Sequence, residues 1–101
     1  MKVKAKDDIF NFLEKNKTDI QKFGVKRLGV FGSFVKNTQR DHSDIDFLVE
    51  FYSNKVSYTN FIELAYFLED NLQTKIDLIT LESLSPHIGP HILKEVEYAS
   101  F

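Results

Sequence analysis

The sequence predicts a small two-layer α/β or α+β domain, and three observations carry this. Short apolar runs suited to strands recur at residues 28–31, 47–49 and 76–79. Between the second and third of them lies an amphipathic helical stripe of Phe61, Leu64, Ala65, Leu68 and Leu72. A chain of 101 residues suits one domain around one modest core. Strands alternating with helices bury their apolar sides by packing as layers.

A first helix is expected over residues 6–17, where Ile9, Phe10, Phe12 and Leu13 supply an apolar side. Gly24 ends the segment that follows. Residues 25–31 read as the first strand, and Ser33 then opens a short helix whose exposed backbone N–H groups favour an anion. The second strand covers residues 43–51. Successive strand residues face opposite sides, so Ile45, Phe47, Val49 and Phe51 share a core face, and Asp44, Asp46, Leu48 and Glu50 share the other. The two aspartates then point the same way, about 7 Å apart. In the third helix the stripe falls at i, i+3, i+4, i+7 and i+11, with Ile62 and Tyr66 widening it and Thr59 as the expected N-cap. Residues 75–80 form the third strand, in which Ile76 and Leu78 oppose Asp77 and Ile79. Pro86 and Pro90 break the chain, and a last helix from about residue 90 carries Ile92, Leu93 and Val96. No internal repeat, low-complexity tract or linker interrupts this order.

Composition narrows the function classes. Forty-three percent hydrophobic residues, with ten phenylalanines, describe a folded chain rather than a disordered one. No apolar run approaches the ~20 residues of a membrane span. The lysines near the amino terminus precede no long apolar region, so no secretory signal is expected. Without cysteine there is neither a disulfide nor a thiolate zinc site, and a cytoplasmic location is the simplest expectation. A net charge of −2, with basic residues scattered apart from Lys22, Lys26 and Arg27, disfavours a long nucleic-acid polymer as ligand. A single nucleotide carried with a metal ion fits better.

The chemistry is expected at Gly32-Ser33 and, after ten intervening residues, Asp44-Ile45-Asp46, with Asp77 as a third carboxylate. Glycine lets the backbone approach a ligand, and the serine hydroxyl can bond a phosphate oxygen. Three carboxylates on neighbouring strands repel one another, and a divalent cation removes that conflict. Magnesium takes oxygen ligands, usually one or two carboxylates plus substrate phosphates, and two ions can clamp an in-line displacement. Asp77 could complete the metal site or accept the proton of an attacking hydroxyl. Arg40 and Lys36 could neutralise a triphosphate or stand as solvated loop charges; Ser43 could bond a phosphate or cap the loop. The Asp44 segment is no calcium loop, because Leu48 and Val49 follow where oxygen ligands and a glycine belong. His87 and His91 lack the metalloprotease glutamate, and no Walker A sequence is present.

These residues carry a resemblance. Val30-Phe31-Gly32-Ser33, Arg40, Ser43-Asp44-Ile45-Asp46-Phe47-Leu48-Val49 and Lys75-Ile76-Asp77-Leu78-Ile79-Thr80 resemble the minimal nucleotidyltransferases (MNT proteins) of the DNA polymerase β-like nucleotidyltransferase superfamily. The resemblance continues through Pro86, Pro90 and Ile92-Leu93-Lys94-Glu95. It implies a small mixed sheet flanked by helices, ATP as substrate, and two Mg²⁺ ions, or Mn²⁺, at Asp44, Asp46 and Asp77. It also implies a partner: a HEPN toxin that the MNT antitoxin modifies by transferring AMP to a tyrosine, in a hetero-oligomer. Two departures stand out. Phe34 and Val35 follow the Gly-Ser where many members have small or basic residues, and Asn37 occupies a position where many have glycine. Two further readings remain: a steric antitoxin whose contact is made by exposed aromatics such as Tyr52, Tyr58 or Phe101, and a catalytic subunit of a small-molecule nucleotidyltransferase.

Overall fold

The computed structural model describes residues 3–101; Met1 and Lys2 of the amino-terminal segment lie outside the described residues. The elements run α1 (Lys6–Lys15), α2 (Lys17–Gln21), β1 (Val25–Phe31), α3 (Ser33–Lys36), β2 (Ile45–Phe51), α4 (Tyr58–Leu72), β3 (Ile76–Thr80), α5 (Gly89–Glu95) and β4 (Glu97–Tyr98), with 3₁₀ turns at Ser53–Lys55 and Leu81–Ser83. The strands form one mixed sheet in the order β3-β2-β1-β4. β1 runs antiparallel to β2 and β4, and β2 runs parallel to β3. A parallel pair needs a crossover connection, and α4 provides it. The expected mixed sheet with flanking helices is therefore present. No described helix is long and apolar enough to cross a membrane.

The register decides which side chains meet. Phe31 of β1 lies opposite Asp46 of β2, which lies opposite Asp77 of β3. Gly29, Leu48 and Ile79 form the next row on the same face, two residues along each strand. The intervening row, Val30, Phe47 and Leu78, faces the other way into the main core with Ile9, Leu13, Leu64, Leu68 and Leu72. Each fully buried leucine there contributes about 1.5–3 kcal/mol of transfer free energy. Leu48 and Ile92 are buried outside that cluster. A groove of about 310 Å³ lined by Phe31, Asp77, Ile79, Ile88 and Ile92, among others, sets α5 over the acidic face. The sheet thus has a closed core side and a second side that carries Asp46 and Asp77 and borders α5.

Several local expectations are corrected. The first helix stops at Lys15, because Asn16 leaves helical geometry at φ −112° and its side-chain amide donates to the Phe12 carbonyl at 2.9 Å; α2 is a separate turn. At the start of α1, Asp8 Oδ2 accepts the backbone N–H groups of Lys4 and Ala5 at 2.9 and 3.1 Å. The N-cap of α4 is Ser57, whose Oγ accepts the Asn60 N–H at 3.1 Å; Thr59 lies exposed in the first turn. Tyr66 does not widen the buried stripe, being 62% exposed. Asp44 precedes β2 rather than lying within it, and Lys75 precedes β3. Leu93 of α5 is exposed and Val96 lies just past the helix end.

Candidate active site

The turn after β1 is built around Gly32. Its φ is +79°, in the region L side chains rarely adopt, and a Cβ there would run into Asp46 Oδ2. The glycine is therefore needed both for its backbone conformation and to let the Asp46 carboxylate lie against the turn. Ser33 then starts α3. The departures from the family pattern have a local explanation. Phe34 is buried in the core and Val35 packs against it, so both apolar residues face inward. Asn37 ends α3 at φ +59°, the left-handed conformation for which glycine is commonest and asparagine the usual alternative.

Asp46 and Asp77 are cross-strand neighbours, and Asp44 stands two residues before Asp46. Asp46 is half-buried, whereas Asp44 and Asp77 are exposed. Burial first, then the negative charges of Asp77, Asp44 and Glu95, push the Asp46 carboxyl up to about 6. A carboxylate held in this way is one that a cation would relieve. No three acidic or histidine side chains close into a preformed metal cage among the described residues. Carboxylate oxygens are the donors a hard divalent cation takes, so Asp46 with the exposed Asp44 and Asp77 matches such a cation in donor type.

Arg40 and Ser43 hold each other rather than the aspartates. The Arg40 N–H donates to Ser43 Oγ at 2.8 Å, and the Ser43 N–H donates to the Arg40 carbonyl at 3.0 Å. The Arg40 side chain is exposed and borders a hollow shared with Val3, Lys4, Gln39 and Asp41. Lys36 is ion-paired, its Nζ standing 3.2 Å from Glu95 Oε2. Glu95, to which sequence reasoning gave no role, meets the turn: its Oε1 accepts the Gly32 N–H at 2.9 Å. No spacing rule could have linked it to the turn, since the bond spans 63 positions. A surface hollow of about 600 Å³ at Glu69, Asp70, Gln73, Thr74 and Lys75 contains none of the expected site residues. A smaller hollow of about 330 Å³ is lined by Ser43 and Asp44 with Asp41, His42, Gln73, Thr74 and Lys75.

Comparison with known proteins shows the family and the fold. The nucleotidyltransferase domain family matches residues 11–99. The protein adenylyltransferase MntA of Thermococcus cleftensis is 38% identical over 93 residues, covering 91% of this chain and 93% of that one. A Methanocaldococcus jannaschii protein, provisionally named a protein adenylyltransferase, is 36% identical over 96 residues and covers 94% of both chains. Among solved structures, one provisionally described as a minimal nucleotidyltransferase superposes with a TM-score of 0.80 at 24% identity, covering 93% of this chain and 95% of its own. A toxin–antitoxin complex with AMP-PNP superposes with a TM-score of 0.67 at 24% identity, covering 84% of this chain and 70% of its own. The chain therefore belongs to the nucleotidyltransferase domain family, and it is a nucleotidyltransferase with the minimal nucleotidyltransferase fold.

Proposed function

We propose that this protein transfers AMP from MgATP to a tyrosine hydroxyl of a cognate HEPN toxin and acts as its antitoxin. The observation that carries this reading is the Asp46–Asp77 pair in register beside a turn that only glycine can make. Its relatives support the class of acceptor: the T. cleftensis protein is named a protein adenylyltransferase. One solved neighbour at 20% identity, with a TM-score of 0.62, is a tri-AMPylated Shewanella oneidensis HEPN toxin in complex with an MNT antitoxin.

The residues divide the work as follows. Gly32 and Ser33 bind the phosphates, with Arg40 supplying charge from the exposed loop and Ser43 holding that loop closed. Asp44, Asp46 and Asp77 would hold magnesium, which when bound would draw the triphosphate to the carboxylates and stabilise charge on its oxygens. The acceptor oxygen attacks the α-phosphorus in line. The bond from that phosphorus to the bridging oxygen breaks, and pyrophosphate leaves with the electron pair. Asp77, exposed at the rim, takes the hydroxyl proton.

Co-expression with the cognate HEPN partner, followed by intact-mass and peptide mass spectrometry, tests the reading. The partner should gain AMP on tyrosine, and Asp44→Ala/Asp46→Ala should leave it unmodified. A partner that stays unmodified in the presence of active-site-intact protein and ATP would refute protein adenylylation. A steric contribution has its own support in Tyr52, Val56 and Tyr58, which are 53%, 55% and 79% exposed within one short stretch. Protection that survives in the double variant would assign the antitoxin effect to contact.

A further inference from the structure

We propose that Glu95 is a specificity-determining residue that stands in for the nucleotide's phosphate and sets the affinity for the triphosphate. This rests on the reading that Gly32 and Ser33 bind phosphate. The Glu95 carboxylate takes two donors at once, one in that turn and one at the far end of α3. Oε1 accepts the Gly32 N–H at 2.9 Å and Oε2 pairs with Lys36 Nζ at 3.2 Å. Its side chain is about three-quarters shielded, at 24% exposure, whereas Lys36 is 59% exposed. A carboxylate bridging a backbone N–H and an ammonium occupies an anion site with an anion that belongs to the chain.

Glu95 is the last residue of α5, which packs over the acidic face of the sheet. The carboxylate therefore reaches the turn from above while Asp46 lies against it from the sheet. A triphosphate entering between them meets a like charge on the donors it needs. It must displace Glu95 or share the turn with it, and either costs binding free energy. Once Glu95 has moved aside, the Gly32 N–H and Lys36 become available to the incoming phosphate. An uncharged nucleoside meets no such competition.

Glu95→Gln tests this, because the amide oxygen still accepts the Gly32 N–H while the charge is gone. The probe is α,β-methylene-ATP with Mg²⁺, which cannot transfer AMP, titrated calorimetrically into wild type, Glu95→Gln and Ser33→Ala. Glu95→Gln should bind about tenfold more tightly than wild type. Adenosine should show no gain, and the ligand-free melting temperature of Glu95→Gln should stay close to that of wild type. A merely structural tie would instead shift the melt and weaken both ligands alike. Binding by wild type that Glu95→Gln leaves unchanged or weakens overturns the inference on Glu95 alone. Binding that Ser33→Ala does not reduce, or no binding by any variant, overturns the phosphate-turn reading and the inference with it.

Discussion

Replacing Asp46 by asparagine should make the ligand-free protein more stable while destroying its activity. The Asp46 carboxyl is raised from 3.8 to about 6, by burial and then by Asp77, Asp44 and Glu95. Full transfer of that difference would amount to about 3 kcal/mol. Asp46 is only half-buried and solvent screens much of it, so about 1 kcal/mol is the working figure. The folded protein keeps the Asp46 proton up to about pH 6, whereas the unfolded chain releases it near 3.8. Between those values the folded state binds more protons, so this group's contribution to stability falls as pH rises through the window. The asparagine side chain of the variant carries no such charge. Thermal melts in EDTA should therefore show Asp46→Asn about 5 °C above wild type at alkaline pH. The gap should close as pH falls below the folded value of about 6 toward 3.8, where wild-type Asp46 is itself protonated. A variant that melts at or below wild type in alkaline buffer, or a gap that does not change with pH, would refute this account of the site's electrostatics.

Other outcomes follow from the same geometry. Gly32→Ala places a Cβ on Asp46 Oδ2 at a φ of +79°; it should cost about 1–3 kcal/mol in denaturant unfolding and abolish transfer. Ser57→Ala should cost about 1 kcal/mol by removing the α4 cap, whereas Thr59→Ala should stay within about 0.5 kcal/mol of wild type, as chemical denaturation would show. Asp77→Asn should slow AMP transfer by about a hundredfold or more in single-turnover assays while leaving α,β-methylene-ATP binding measurable by calorimetry.

The parts of the fold legible in the sequence were those with a short period. Alternation placed Phe47 and Val49 in the core and Asp46 on the opposite face, as the register bears out. The 3.6-residue stripe located Leu64, Leu68 and Leu72, all fully buried. Where two residues of similar chemistry competed, local pattern chose wrongly: Ser57 and Thr59 are both capping types, and only the Ser57–Asn60 bond separates them. Asn16 broke the first helix by a side-chain bond that hydrophobic periodicity does not see. The two-residue β4 is too short to carry a period. The carboxylates were expected on neighbouring strands, but the exact Asp46–Asp77 row was not legible, because it depends on how the α4 crossover returns β3 alongside β2. Glu95 was legible only as part of the Ile92–Glu95 resemblance, since its contact with the turn depends on α5 packing back over it.

If Gly32, Asp44, Asp46 and Asp77 form an adenylyl-transfer centre, label should follow the α-phosphate when wild type and Asp46→Asn are incubated with Mg²⁺, the HEPN partner and ATP labelled at either the α- or the γ-phosphate. Label from the α position should appear on the partner with wild type only, with γ label released as pyrophosphate. Transfer of γ label, or α transfer that persists in Asp46→Asn, would contradict the account.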